Sequence, residues 1–296
     1  MALGVFPFSL MVGLALLAMG AVSVAATVVV GASRGETHLF AGSPTEDVPT
    51  VAASAYLVLD AETGQALAAV DADEHRPVGS LVKLMTAHLV LEAGAPDDPV
   101  TVPALDVGGD ESQIGLVPGE VQRRDTLVAA TLVASANDAA RALAVDVGGD
   151  EAAFVEMMNA EAEDLGLDDT HYTDPAGIED EGQWSTAHDV AVLADRLMDD
   201  AGFRALVDDP SVTVDGLAHP ATNDLLGSYS GADGVKTGHT GGAGWCIAAS
   251  ATRDGRRVIV VVLGAPTEEA RDASATTLLD WAFTGSPHVT PAPARG

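Results

Sequence analysis

The chain has 296 residues, of which 47% are hydrophobic, so it can form one sizeable core arranged as one or two domains. Its formal net charge of −30 and isoelectric point near 4.2 argue against nucleic acids and anionic membrane surfaces as partners. The acidic residues are spread along the chain, which is typical of a halophile-like protein that stays soluble at high salt, where charge repulsion is screened. The single cysteine, Cys246, lies in an apolar run and is interpreted as a buried core residue.

The N-terminal segment, residues 1–33, contains no charged side chain. Its apolar run, residues 6–31, is long enough to cross a bilayer. The run is longer than the apolar core of a signal peptide and has no basic residue before it, so we interpret it as an uncleaved transmembrane anchor. The alternative is a signal cleaved near residues 23–25, giving a secreted protein. Residues 34–51 are interpreted as a linker, and in both readings the domain after it is expected to work outside the cytoplasm.

The folded part of the chain is predicted to begin near residue 52 with two strands. Apolar runs at residues 55–59 and 65–70 surround a turn segment that ends at Gly64, a pattern that predicts a β-hairpin. After Gly79 the spacing of apolar residues becomes helical. Asp125 is predicted to cap the second helix and Gly166 to end the fourth. The helices are predicted at residues 80–93, 126–134, 138–147, 151–165 and 186–200, with one short strand within residues 100–107.

The last third of the chain returns to strands. Short strands are predicted at residues 211–214 and 234–237, and two longer ones at residues 245–252 and 256–264 flank a hairpin turn. A helix at residues 267–283 closes the domain, and the proline-rich residues 284–296 are predicted to be disordered. The order of strands, helices and strands predicts an α+β domain, in which an antiparallel sheet built from both chain ends packs with a helical cluster.

Lysine occurs at only two positions in the chain, Lys83 and Lys236, and every other basic residue is arginine. Arginine stays protonated in proteins, whereas a desolvated lysine can lose its proton and act as a base. Lys83 follows Ser80 by one helical turn, which places a hydroxyl beside an amine. Lys236 is followed by Thr237 and Gly238. Two isolated lysines next to hydroxyl residues therefore indicate a catalytic site.

A third motif lies between these two. Ser135-Ala136-Asn137 falls at the predicted break between two helices. A Ser-x-Asn motif alone is more often a simple helix cap. Ser-x-x-Lys, Ser-x-Asn and Lys-Thr-Gly in this order are much more specific, because serine β-lactamases and penicillin-binding proteins use this combination for acyl transfer.

With these motifs the chain resembles the serine D-alanyl-D-alanine carboxypeptidase family of low-molecular-mass penicillin-binding proteins. The resemblance covers residues 52–283 and includes Asp174-Pro175-Ala176-Gly177 and residues 182–187. It implies the transpeptidase fold shared by penicillin-binding proteins and serine β-lactamases, with a site in the groove between helices and sheet. It also implies that the enzyme removes the terminal D-alanine of peptidoglycan stem peptides, or of a similar D-Ala-D-Ala peptide, and that β-lactams inhibit it by acylating the same serine.

The resemblance further implies a role for each motif residue. Ser80 would attack the carbonyl carbon between two D-alanines, and neutral Lys83 would take its proton. Burial and the charge of Lys236 would both lower the pKa of Lys83. Ser135 would transfer a proton to the leaving amine, and Asn137 would position the substrate amide and Lys83. Lys236 and Thr237 would bind the terminal carboxylate, and Gly238 would let the substrate approach the strand closely. The backbone N–H groups of Ser80 and His239 would form the oxyanion hole.

Other functions remain open at this stage. A D,D-endopeptidase that cleaves peptidoglycan crosslinks would use the same residues. A class A β-lactamase would need a Glu-x-x-Leu-Asn loop for deacylation, and the sequence contains none after the second motif. A silent β-lactam-binding protein would not need the intact serine and lysines.

No cofactor is expected, and no metal site is predicted. The histidines lack a ligand spacing such as His-Glu-x-x-His. His88 lies two helical turns after Ser80, and we interpret it as a core histidine.

Overall fold

The computed structural model describes residues 48–105, 108, 111–178 and 181–284. The predicted anchor, most of the predicted linker and the predicted tail after residue 284 lie outside these residues. Within the described ranges, no helix combines the length and the apolar character needed to cross a membrane.

The centre of the fold is a five-stranded antiparallel sheet with strand order β2-β1-β9-β8-β7. Its strands come from both ends of the domain, as the sequence predicts. The register pairs Ala55 with Leu263 and Asp60 with Val258, so the first strand lies against the last along its whole length. The strands are β1 (Ala55–Asp60), β2 (Gln65–Val70), β7 (Ala232–Thr240), β8 (Gly244–Arg253) and β9 (Arg256–Ala265).

The two faces of this sheet bury different sets of side chains. After its first two residues, Arg256 and Arg257, strand β9 is apolar, because it is covered on both sides. Val258 and Val260 point to the face covered by helix α7 (Glu268–Thr284), where they join Leu278. Alternate residues such as Ile259 join the opposite core, which the helical cluster covers.

The helical cluster contains the block of helices predicted from the sequence. A 3-10 turn at Gly79–Val82 leads into α1 (Lys83–Glu92), which is buried from Lys83 to Val90. Thr186 caps the fifth helix by accepting a hydrogen bond from the N–H of Asp189 at 3.0 Å, as its capping-box spacing predicts. The other helices are α2 (Arg124–Leu132), α3 (Asn137–Gly148), α4 (Glu151–Leu165), α5 (Ala187–Met198) and α6 (Ala201–Val207).

Several local predictions were wrong. The N-cap position of helix α2 is Arg123 rather than Asp125, and no side chain caps the helix. Asp125 lies in the first turn, where its carboxylate accepts a hydrogen bond from Nε of Arg123 at 3.0 Å. The strand expected within residues 100–107 is only β3 (Pro99–Thr101), and it pairs with an unpredicted strand, β4 (Val121–Arg123). The predicted strand β5 (Ser211–Val214) likewise pairs with an unpredicted partner, β6 (Leu217–Pro220), and α6 was also missed.

Candidate active site

The helix side of the candidate site is built around the amine of Lys83. Its Nζ donates to Oγ of Ser80 at 2.7 Å, to Oδ1 of Asn137 at 2.6 Å and to the carbonyl of Ala176 at 2.6 Å. Lys83 is completely buried, whereas Ser80 is partly exposed. The buried amine thus contacts a hydroxyl that solvent can reach.

This environment changes the protonation of Lys83. Burial lowers the pKa of Lys83 from its usual value to about 7, because the charged form loses its hydration. The carboxylates of Asp174, Glu111 and Asp138 raise it, and Arg141 lowers it further. Near neutral pH the amine therefore exists in both its charged and its neutral form.

The second motif lies in the break between α2 and α3, as predicted. Ser135 has a φ of +59°, a left-handed conformation that is uncommon for a residue with a side chain. Asn137 begins α3, and its backbone N–H donates to the carbonyl of Ser112 at 2.7 Å. The break therefore turns the Ser135 and Asn137 side chains towards the two lysines.

The strand side of the site carries the second lysine on β7. Nζ of Lys236 donates to Oγ of Ser135 at 2.8 Å and to the carbonyl of Thr237 at 2.8 Å. Burial, followed by repulsion from Lys83 and Arg271, holds the pKa of Lys236 well below its usual value. Repulsion between the two buried lysines disfavours the charged form of both amines, as the sequence-based expectation for Lys83 requires, and Arg141 adds to this effect at Lys83.

Glycines allow the helix side and the strand side to approach closely. A Cβ added at Gly79 would lie 3.0 Å from the backbone N of His239, and one at Gly238 would lie 2.5 Å from the carbonyl oxygen of Val78 and 3.1 Å from the N of Ser80. A Cβ at Gly177 would collide with the backbone of Gly79. The structure thus brings the backbone N–H groups of Ser80 and His239 into one region.

Sequence reasoning missed several groups around this site. Oε2 of Glu111 accepts a hydrogen bond from Nδ2 of Asn137 at 2.7 Å. The hydroxyls of Thr222 and Thr237 lie 2.6 Å apart. The turn at residues 174–177 was noted as part of the resemblance, but the carbonyl that it offers to Lys83 was not. For Glu111 and Thr222 the sequence carries no signal that we can identify, because both reach the site from loops distant in the chain.

His88 lies outside the site, at the interface between α1 and α4. The residue is buried, in line with its interpretation as a core histidine. Its Nε2 lies 2.8 Å from Oε1 of Glu161 and 3.6 Å from Oε1 of Glu92. Among the described residues these three side chains form the group whose ligand atoms, all within 4.8 Å of one another, could hold a metal ion. None of them belongs to the three motifs.

Comparison with known proteins gives consistent similarities. The profile of the D-alanyl-D-alanine carboxypeptidase family matches residues 43–267. The D-alanyl-D-alanine carboxypeptidase DacF of Bacillus subtilis is 35% identical over 257 residues, which cover 82% of this chain but 64% of that protein. The chain therefore spans just under two thirds of the length of this relative.

Solved structures give the same result for the fold. Penicillin-binding protein 6B of Escherichia coli superposes with a TM-score of 0.76 at 36% identity, covering 80% of this chain and 79% of the other. Penicillin-binding protein D2 of Listeria monocytogenes, in its cefotaxime-bound form, superposes with a TM-score of 0.74 at 36% identity, covering 80% of this chain and all of the other.

Proposed function

Because this chain belongs to the D-alanyl-D-alanine carboxypeptidase family, we propose that it is a serine-type carboxypeptidase that removes the terminal D-alanine of peptidoglycan stem peptides through an acyl-enzyme. β-Lactams would acylate the same serine. The observation that carries the proposal is the buried Lys83 amine, 2.7 Å from the partly exposed hydroxyl of Ser80. The fold and the neighbouring motifs support this assignment.

The contacts of Lys83 suit it to act as the base. A neutral amine has two hydrogens and one lone pair. The carbonyl oxygens of Asn137 and Ala176 can accept the two hydrogens, which leaves the lone pair directed at the hydroxyl of Ser80. As Oγ attacks the carbonyl carbon, its proton passes to Nζ of Lys83. The adjacent backbone N–H groups of Ser80 and His239 would stabilise the oxyanion that forms.

The leaving group requires a proton in the next step. Ser135 contacts Lys236 and lies beside Asn137, so its hydroxyl is placed to relay to the departing amine the proton that Lys83 took from Ser80. The C–N bond then breaks, D-alanine leaves and the acyl group stays on Oγ. Water attacks the ester and gives a proton to the neutral amine of Lys83, which returns it to Oγ of Ser80 as the shortened peptide leaves.

Lys236 and Thr237 are proposed to bind the terminal carboxylate of the substrate. Within the described part of the chain, the polar contacts of Lys236 are a hydroxyl and a carbonyl oxygen, and no carboxylate forms an ion pair with it. A bound carboxylate would supply the missing negative charge and raise the pKa of Lys236 back towards its usual value. The site thus favours a peptide with a free C-terminal carboxylate.

We also propose that the domain works outside the cytoplasm, held at the cell membrane by residues 1–33. The support for this is the charge-free apolar run in that segment and the nature of the proposed substrate, which lies outside the membrane. Secretion after cleavage near residues 23–25 is the alternative, and the N-terminal sequence of the mature protein separates the two.

The proposed function is tested by finding the acylated residue and the released product. Mass spectrometry after incubation of the full-length protein with a fluorescent penicillin should show one adduct on Ser80. Ser80→Ala should abolish the adduct, while Ser228→Ala, a change at an exposed serine, should keep it. The protein should release D-alanine from a pentapeptide faster than it cleaves crosslinked muropeptides. Absence of an adduct on Ser80 would contradict the proposal, and preferential crosslink cleavage would replace it with an endopeptidase.

A further inference from the structure

Glu111 occupies a position beside the site that the chemistry above does not use. Its Oε2 accepts a hydrogen bond from Nδ2 of Asn137 at 2.7 Å, and its Oε1 accepts one from the backbone N–H of Gly108 at 2.9 Å. The other end of the Asn137 amide accepts from Nζ of Lys83 at 2.6 Å. A chain of contacts therefore runs from Glu111 through Asn137 and Lys83 to Ser80.

This arrangement fixes the orientation of the Asn137 amide. An asparagine amide has a donor end and an acceptor end of nearly the same shape, so it can turn over unless its partners differ. An ionised carboxylate can only accept. Glu111 therefore selects the orientation in which Nδ2 faces the carboxylate and Oδ1 faces Lys83.

The position of Glu111 is set by the start of helix α3. The next residue, Ser112, accepts the backbone N–H of Asn137 at 2.7 Å. The backbone N–H groups of Ile114, Gly115 and Leu116 all donate to the carboxylate of Asp138, at 2.8 to 3.2 Å. The segment that carries Glu111 is thus bound to the same helical turn as Asn137.

We propose that Glu111 is a positioning residue, which holds Oδ1 of Asn137 towards Lys83 and places a negative charge close to the Lys83 amine. It acts through Asn137 rather than by contacting the reacting atoms. Its role in catalysis rests on the proposed function, but its electrostatic effect on the protonation of Lys83 does not.

Within the described ranges, the charged groups that face Lys83 come from four elements. Asp174 belongs to the turn at residues 174–177, Glu111 to the loop before β4, Asp138 and Arg141 to α3, and Lys236 to β7. Asp174 already accepts backbone N–H groups of its own turn, and Asp138 already accepts the backbone N–H of Gly115. Glu111 differs, because one of its oxygens binds a side chain that itself contacts Lys83. Its carboxylate raises the pKa of Lys83, in opposition to burial.

The two-lysine composition provides a direct test that does not require activity. In full-length protein made with lysine carrying ¹³C at Cε, the spectrum should contain two lysine signals, one for each lysine in the chain. The spectrum of Lys236→Arg, which keeps only the Lys83 signal, assigns the two. In Glu111→Gln the titration midpoint of Lys83 should move to lower pH by about half a unit, because one nearby negative charge is lost. The matched control Glu163→Gln, at an exposed position on α4, should leave it unchanged.

The orientation is tested by acylation kinetics with a fluorescent penicillin. Glutamine at position 111 keeps one oxygen that can accept from Asn137, so acylation at its pH plateau should stay within about twofold of wild type. Glu111→Ala should lower the plateau about tenfold, because the amide is no longer held in one orientation. Deacylation should change less than acylation in both variants.

Three results would overturn the inference. One is a Lys83 midpoint that does not move in Glu111→Gln. Another is normal acylation in Glu111→Ala. The third is a loss confined to deacylation, which would mean that the carboxylate acts on the attacking water. A wild-type protein that forms no adduct on Ser80 would instead contradict the proposed function, while the lysine titration would still decide the effect of Glu111 on Lys83.

Discussion

The two lysines of the chain differ in their surroundings although both are buried in one site. Lys83, on α1, makes three hydrogen bonds and has the carboxylates of Asp174, Glu111 and Asp138 nearby. Lys236, on β7, makes two hydrogen bonds and has cations nearby, Lys83 and Arg271. Among the described residues, carboxylates partly compensate the charge of Lys83, whereas none is paired with Lys236.

This difference shows how one residue type can serve two tasks a short distance apart. Burial lowers the pKa of both amines, but the nearby carboxylates limit the effect at Lys83, where it remains near 7. A base needs such an intermediate value, since it must lose and regain a proton at the working pH. A carboxylate-binding group instead needs a cationic side chain that is not already paired with a carboxylate of the protein. In the part of the chain that the structure describes, no carboxylate is paired with Lys236. The following predictions test this division, in order of expected effect.

The largest effect is expected for Lys83→Arg. Arginine keeps the positive charge but cannot lose its proton, so the rate of Ser80 acylation should fall by about 10³-fold or more. Lys236→Arg keeps the charge that the carboxylate needs and should cost only about tenfold. The acylation rate with a fluorescent penicillin measures both. Equal losses in the two variants would contradict the division of roles.

The next effect concerns pH. Because the pKa of Lys83 is lowered to about 7 and the base must be neutral, the acylation rate should rise with pH through about 7 and then level off. At pH 6 it should be about tenfold below the plateau, since about one tenth of the amine is then neutral. Lys236→Arg should leave this acid limb in place, because the limb follows the protonation of Lys83. A rate that falls through pH 7 would exclude Lys83 as the base.

A smaller effect is expected at Thr222. Its hydroxyl lies 2.6 Å from that of Thr237 and holds it in place beside Lys236. Thr222→Val removes this bond at nearly constant volume, and KM for the peptide should rise roughly three- to tenfold with little change in kcat, since a hydrogen bond of about 1 kcal/mol is lost. Thr222→Ser should restore the wild-type KM. A loss confined to kcat would place Thr222 in the chemical step instead.

The smallest effect on the site is expected from salt. The net charge of −30 should make the free energy of unfolding rise by about 1 kcal/mol or more between low and molar salt, as surface repulsion is screened. The acid limb of acylation should stay within about 0.3 pH units, because buried groups are screened much less. Denaturant unfolding and the pH profile, each at two salt concentrations, measure this contrast. A large shift of the acid limb would show that solvent ions reach Lys83.

Much of the fold could be predicted from local patterns. The bounds of α4 agree with the prediction, because Asp150 caps the helix at its start and Gly166 adopts the left-handed conformation at its end. The antiparallel sheet from both chain ends was also predicted correctly. Strands β4 and β6 were missed, since they are short and mostly exposed, and their pairing depends on residues that local periodicity does not reveal.

The site could be predicted only in part. The three motifs were identified because their residue types and order are specific, and the structure brings them together. The roles given to Ser80, Lys83, Ser135 and Asn137, and to Lys236, Thr237, Gly238 and His239, stay predictions until the variants are measured. Glu111 and Thr222 could not be found, since a glutamate in an acidic loop and a threonine beside an asparagine are ordinary until the fold places them against Asn137 and Thr237.

By itself, the sequence determined which chemical groups are present and in what order. It contains two lysines, each close to a hydroxyl residue, in a chain whose other cationic side chains are arginine, and it contains the three motifs in a specific order. Only the tertiary structure decided what the two lysines can do. The pKa of an amine depends on its burial and on the distances to charges from other parts of the chain, and neither quantity is contained in a local pattern. Lys83 and Lys236 are the same residue type, and their proposed roles, as a base and as a carboxylate-binding group, depend on the different charges with which the fold surrounds them.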